Sequence, residues 1–289
     1  MTAQMHSMLS RLQKRRLMAK TRRRGAHKGG RTANKFGASL EFSDFRLYQP
    51  GDDVRQIDWN IYGRTQRHYI KRFLDEQELA VTVFLDASSS MQAIVSKWKR
   101  AKELAAAFSY ITLSGEDRLS FIPVSSVSYA KVSRKGSVYG KTVFFEILQL
   151  PEQQAAGTFT DNLQKNSLKN NQLVILITDG LEPLASFEAL FRLIAAAKQE
   201  VKLIQLLSRE ELDPIYSGDV KLIDSESNES VNVTMSDSIL VNYRKQVTEH
   251  NRSLEALCRR FGFSYLLTAD DADLNDFLFH ECCAKRILY

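Results

Sequence analysis

Asp86, Ser88 and Ser90 stand two residues apart at the end of the stretch VTVFLDASSSM, residues 81–91. In extended chain that interval turns alternate side chains to one side, so a carboxylate and two hydroxyls would point the same way. Oxygen donors of this kind suit a hard cation, Mg2+ or Mn2+, which usually keeps part of its water. They leave room for a second carboxylate, a water and an incoming ligand. Asp179, followed by Gly180, closes another apolar run and supplies the second carboxylate. Between the two lies Gly157-Thr158-Phe159-Thr160-Asp161, a loop with two further hydroxyls. Thr158 is preferred as the remaining ligand because a glycine precedes it, and Thr160 stays open as the alternative. Asp and Ser also favour helix N-caps. The regular interval and the second strand-end aspartate favour the cation.

These groups have to be positioned by strands. Val81–Leu85 and Leu173–Thr178 are β-branched or apolar throughout, as strands buried on both faces are. From Lys97 the period changes: Trp98, Ala101, Leu104, Ala105, Phe108 and Ile111 recur at three and four, giving an amphipathic helix. Further strands are expected over Asp117–Val124, Tyr129–Val132, Val201–Leu207 and Tyr265–Thr268. Helices are expected over Val143–Leu150, Asp161–Leu168, Phe187–Lys198 and Ile239–Phe261, the last capped by Gly262, with a terminal helix near Asp273. Val220–Ile223 and Val231–Thr234 read as a hairpin around a turn at Ser225–Glu229, inserted near residues 219–235. His68–Leu74 reads as a half-buried strand, antiparallel to 81–85. This alternation indicates an α/β fold with a mostly parallel sheet and helices on both faces. Ligands collect there at the carboxyl ends of strands, where the winding reverses.

Of the 289 residues 44% are hydrophobic and 26% charged, an ordinary globular balance. No apolar run approaches the roughly 18 residues of a membrane span. The start MTAQMHSMLSRLQKRR lacks a signal-peptide apolar region, and Cys258, Cys282 and Cys283 form no CxxC pair. A cytoplasmic protein with reduced thiols is expected. The net charge of +6 is uneven, because residues 1–31 carry ten Lys/Arg and no acid, leaving 30 basic against 34 acidic residues elsewhere. Such a tail suits weak contact with nucleic acid or an anionic membrane. Leu9, Leu12 and Leu17 give it a helical rhythm that could instead dock on the body or on a partner. Neither a GxSxG elbow nor a Walker loop is present. Asp271–Asn275 begins like a calcium loop but has Asp276 where glycine is required and Cys282 where glutamate is.

The segment DASSSM resembles the DxSxS core of von Willebrand factor A domains. Thr158 and Asp179 stand in the places of the loop threonine and loop aspartate of their metal-ion-dependent adhesion site. EFSDFRLYQPGDDVRQIDWNIYGRT, residues 41–65, is similar to the signature of a bacterial family with a von Willebrand A-like, Rossmann-like domain, typically encoded beside MoxR-type AAA+ ATPases. The resemblance extends over about residues 25–289. It implies a loop-rich signature segment over 37–79 packing on the sheet and the A-like domain over 80–289; the charge and the glycines make 1–36 a basic tail and linker before them. It also implies a non-enzymatic, Mg2+-dependent protein-binding module whose ion takes a carboxylate from the partner, a MoxR-type ATPase. Asp86, Ser88, Ser90, Thr158 and Asp179 would hold the ion. Within the signature, Arg46, Asp52, Arg55, Asp58 and Arg64 alternate in sign and could pair internally; Arg55, Trp59 and Arg64 could instead form a docking surface. A Mg2+-dependent hydrolase or phosphatase and a nucleic-acid or membrane-surface adaptor are the alternative functions.

Overall fold

The computed structural model describes residues 3–19, 28–36, 42–153, 157–166, 171–216, 218–223 and 230–289. The chain divides into two compact units, Arg23–Leu79 and the remainder, Met1–Arg22 with Ala80–Tyr289.

Helix α1 (Ala3–Leu12) opens the larger unit. Its Leu9 and Leu12, with Leu17 beyond it, are buried. The helix lies against the long helix of that unit described below, with the Arg11 guanidinium over the Phe279 ring. The leucine rhythm of the basic segment thus docks on the body. Residues 16–18 form a short antiparallel ladder with 287–289, in which Arg16 and Tyr289 exchange backbone hydrogen bonds and Met18 N donates to Ile287 O.

The smaller unit is a three-stranded antiparallel sheet of β1 (Lys28–Phe36), β2 (Phe42–Leu47) and β3 (Tyr69–Gln77), in the order β1-β3-β2. Between β2 and β3 sits helix α2 (Trp59–Thr65). Asp58 caps it, its Oδ1 accepting from Asn60 N at 2.9 Å and Ile61 N at 3.2 Å. The expected antiparallel pairing of His68–Leu74 with 81–85 is not formed. Both edges of β3 are taken by β1 and β2, and both edges of strand 81–85 by parallel neighbours.

In the larger unit the chain runs β4 (Ala80–Asp86), α3 (Ser89–Gln92), α4 (Val95–Ser114), β5 (Arg118–Val124), β6 (Val132–Lys135), α5 (Gly140–Leu148), α6 (Phe159–Gln164) and β7 (Leu173–Thr178). It continues through α7 (Leu184–Ala196), β8 (Glu200–Leu207), α8 (Arg209–Leu212), β9 (Gly218–Ile223), β10 (Ser230–Met235), α9 (Asp237–Arg260) and β11 (Ser264–Ala269). The sheet order is β11-β8-β7-β4-β5-β6, parallel except for β6. The expected α/β class and mostly parallel sheet are present, wound outward in both directions from its centre. The reversal falls between β4 and β7, the two strands that carry Asp86 and Asp179 at their ends.

Alternation along the strands divides the core into two layers. Phe84, Val174, Leu176, Val201 and Leu203 join Phe159, Leu163, Phe187, Phe191 and Leu254 from α6, α7 and α9. Against the opposite face lies α4, packed along β4, β5, β7 and β8, with Trp98, Leu104, Ala105 and Phe108 buried. The expected hairpin is present as β9 and β10, paired with each other in their own two-stranded sheet. Its turn at Ser225–Glu229 lies outside the described residues. Several helices begin two or three residues before the first residue of their apolar period, α4 at Val95, α5 at Gly140 and α7 at Leu184.

Candidate functional site

β4 delivers Asp86 to the sheet rim, fully buried. Oδ1 accepts from Ser88 N at 2.9 Å and Oδ2 from Thr178 Oγ1 at 2.6 Å. Ser88 keeps extended dihedrals, but residues 89–92 turn into α3. Ser90 therefore reaches Ser88 through a helical turn rather than by strand alternation, and the two Oγ atoms lie 3.0 Å apart. Ser90 Oγ then donates to Asp179 Oδ2 at 2.9 Å. One chain of hydrogen bonds thus runs from Thr178 through Asp86, Ser88 and Ser90 to Asp179. It joins four of the five residues expected to share an ion.

Thr158, the fifth, caps α6, its Oγ1 accepting from Asp161 N at 3.3 Å. Thr160 turns its hydroxyl to Glu182, 2.5 Å from Oε2. Glu182 also accepts from the backbone N–H groups of Phe159 and Thr160. It lies three residues beyond Asp179, and so ties the threonine loop to the loop that carries that aspartate. Of the two candidate threonines, Thr160 is engaged with an internal carboxylate and Thr158 only with a backbone donor.

A second network braces the Asp179 loop from behind. Gln205 Nε2 donates to Asp179 O at 2.7 Å and to Asn251 Oδ1 at 2.9 Å, while Tyr265 Oη donates to Gln205 Oε1 at 2.6 Å. Gly180 has φ +66, and a Cβ there would come within 2.9 Å of Leu254 Cδ2. The glycine after the aspartate is thus required by backbone conformation and by packing together.

Lys97 is the third residue of α4 and stands next to the apolar positions that mark the helix in the sequence. Its side chain is instead 0% exposed, with Nζ 3.1 Å from Asp179 Oδ2 and 2.7 Å from Glu211 Oε1. Glu211 belongs to α8, where its other oxygen accepts from Ser208 N in a capping box. Burial pulls the Lys97 amine down, but Asp179 and Glu211 outweigh it and hold the amine above its ordinary value. Burial is also the main reason that the Asp86 carboxyl is pushed up to about 7, with the Asp179 charge second; the bonds from Thr178 and Ser88 pull the other way. Burial raises Glu182 as well, against the opposing bonds from Thr160 and Phe159.

Among the described residues no three His, Cys, Asp or Glu side chains converge as a metal cage. An ion here would rest on two carboxylates and neutral hydroxyls, a donor set that fits a hard, partly hydrated cation. Asp86, Ser88, Ser90 and Asp179 would hold it, with Thr158, whose hydroxyl accepts only the cap bond from Asp161 N among the described residues, as the fifth candidate.

In the smaller unit the alternating charges pair in part. Arg46 and Asp52 form a two-pronged ion pair, at 2.8 and 2.5 Å, and Arg55 pairs with Asp53 at 2.8 Å. Trp59 remains 61% exposed, edge-on to Tyr62 and His68. Arg64, five residues on in the same helix, is also exposed.

The model of a family described as "protein of unknown function DUF58" matches residues 44–253, from β2 well into α9, so it includes every candidate ligand. The chain belongs to the DUF58 family. Uncharacterised proteins of Mycobacterium tuberculosis and Mycobacterium bovis are 26% identical to this DUF58 protein over 246 residues, covering 82% of this chain and 77% of theirs. Among solved structures, BatB from Bacteroides thetaiotaomicron is 12% identical, with a TM-score of 0.38, covering 72% of this chain and 98% of its own. The SpRpn10 VWA domain is 11% identical, with a TM-score of 0.40, covering 71% and 95%. The fold assignment rests on the strand order itself. No helix among the described residues is long and apolar enough to cross a membrane.

Proposed function

We propose that this DUF58 protein is a non-enzymatic, metal-dependent protein-binding module acting in the cytoplasm. The observation that carries the reading is the hydrogen-bonded chain joining Asp86, Ser88, Ser90 and Asp179 across the reversal point of the sheet. When bound, Mg2+ or Mn2+ would supply an electrophilic position that accepts a carboxylate from a partner. The protein's own residues supply the rest. Asp86 and Asp179 provide charge, Ser88, Ser90 and Thr158 provide neutral oxygens, and the Gln205 network and Glu182 hold the two loops in place.

The partner proposed from the family resemblance is a MoxR-type AAA+ ATPase, with this chain as its adaptor in complex assembly or maturation. Trp59 and Arg64, with Arg55, are proposed as a second docking surface, because all three are exposed and Trp and Arg are the residue types that most often anchor interfaces.

The experiment is a pull-down of the cognate ATPase with and without EDTA, using the parent and Asp86→Ala. Capture should require the divalent ion and vanish in the variant, while circular dichroism stays native. Undiminished capture in EDTA, or by a folded Asp86→Ala protein, rejects the metal-bridged mechanism.

A further inference from the structure

Buried lysines are costly unless paired. Lys97 is paired twice, and one of its partners is a candidate metal ligand. Asp179 Oδ2 receives both Ser90 Oγ at 2.9 Å and Lys97 Nζ at 3.1 Å. The ammonium also lies 3.3 Å from Ser90 O, in the short helix α3 that Ser88 begins. Its third partner, Glu211 Oε1 at 2.7 Å, comes from α8. None of the residues expected to bind the ion lies on that helix. A positive charge is therefore already installed at a carboxylate that an entering cation would need, with a second carboxylate, Glu211, on its far side.

We propose that Lys97 is the resident cation of this site, competing with a divalent ion for Asp179 and setting how tightly that ion is held. Glu211 is the positioning residue, because it keeps the ammonium paired when an ion takes over Asp179. This inference deepens the metal reading given above and rests on it. A like charge a few ångströms from an ion weakens its binding strongly even at the effective dielectric of a protein surface. Removing the ammonium should therefore tighten binding by about tenfold or more. Removing Glu211 should leave the ammonium on Asp179 alone and weaken binding several-fold.

The test is Mn2+ titration of the full chain, followed by the loss of the free-ion signal in electron paramagnetic resonance. The proteins are the parent, Lys97→Met, Glu211→Gln and the double variant. Expected are tighter binding in Lys97→Met and weaker binding in Glu211→Gln. The double variant should lie close to Lys97→Met, because Glu211 acts through the lysine. A folded Lys97→Met that binds Mn2+ no more tightly than the parent overturns the proposal. So does a Glu211→Gln effect of equal size in both backgrounds, which is the signature of a general field. If Lys97→Met does not fold, Glu211→Gln decides alone, and parent-like affinity overturns the proposal. Absence of Mn2+ binding in the parent and in both Lys97 variants would instead refute the metal reading, and this inference with it.

Discussion

Asp86 should make the fold less stable as the pH rises, and Asp86→Asn should relieve the loss. The carboxyl is pushed from an ordinary value of 3.8 up to about 7, chiefly by burial. Between those values the folded chain holds a proton that the unfolded chain has released. Stability conferred by the protonated group is thus complete below about 3.8 and is lost progressively as the pH climbs to about 7. At about 1.36 kcal/mol per pH unit the full loss is about 4 kcal/mol. An asparagine never ionises, and its oxygen can still accept from Ser88 N. Its amide meets Thr178 Oγ1, which already accepts from Gly180 N at 3.2 Å, so roughly half the gain is forfeited to imperfect hydrogen bonding. The net expectation at pH 8 is about 2 kcal/mol in favour of Asp86→Asn, a rise of about 4–8 °C in melting temperature for a unit of this size. The assay is thermal unfolding of both proteins in EDTA at pH 4.5 and 8. The variant should melt above the parent at pH 8 and slightly below it, by about 1 kcal/mol, at pH 4.5, where the parent carboxyl has lost only about 1 kcal/mol. Saturating Mg2+ at pH 8 should raise the parent and leave the variant unmoved. A variant that melts at or below the parent at pH 8, or a gap indifferent to pH, would refute the reasoning.

Three further outcomes follow from the geometry. Leu12→Ala empties a fully buried position of α1 and should cost about 2–5 kcal/mol in urea unfolding; a cost below about 0.5 kcal/mol, typical of surface sites, would show that α1 is not held against the body. Gly180→Ala imposes both a left-handed backbone and a close approach to Leu254, so it should lose about 1–3 kcal/mol, read from the same denaturation curves. Glu182→Ala strips the acceptor from two backbone donors and Thr160 and should lower stability by about 1–3 kcal/mol. It should also weaken Mn2+ binding if Thr158 is a ligand, and leave binding unchanged if it is not.

The strands and the two aspartates at their ends were legible because an unbroken β-branched or apolar run followed by a carboxylate is a local pattern. The doubly wound sheet followed from the alternation of periods. What was hidden depends on contacts distant in sequence. Lys97 looks like any polar position near a helix start, and its burial is set by Asp179 and by Glu211, 114 residues away. Thr178 reads as the β-branched end of an apolar strand, although its hydroxyl is what holds Asp86. Glu182 and Gln205 carry no motif, and each is explained only by the loop it restrains. The basic segment shows a related limit. Ten positive charges in residues 1–31 drown the signal of three leucines, yet the leucines decide where the described part of it goes. Ser90 is the subtler case, since the interval of two was the right cue but a helical turn delivers the hydroxyl.

The ladder between residues 16–18 and 287–289 gives the larger unit a clasp made from strands far apart in the chain. During synthesis Leu17 has no ladder partner, and Arg11 no ring to lie over, until Phe279 and residues 287–289 have left the ribosome. Closure across such a separation in sequence is slow. The apolar side chains of α1 would meanwhile be a natural target for a chaperone, and loss of the rung at 287–289 should be felt at residues 16–18.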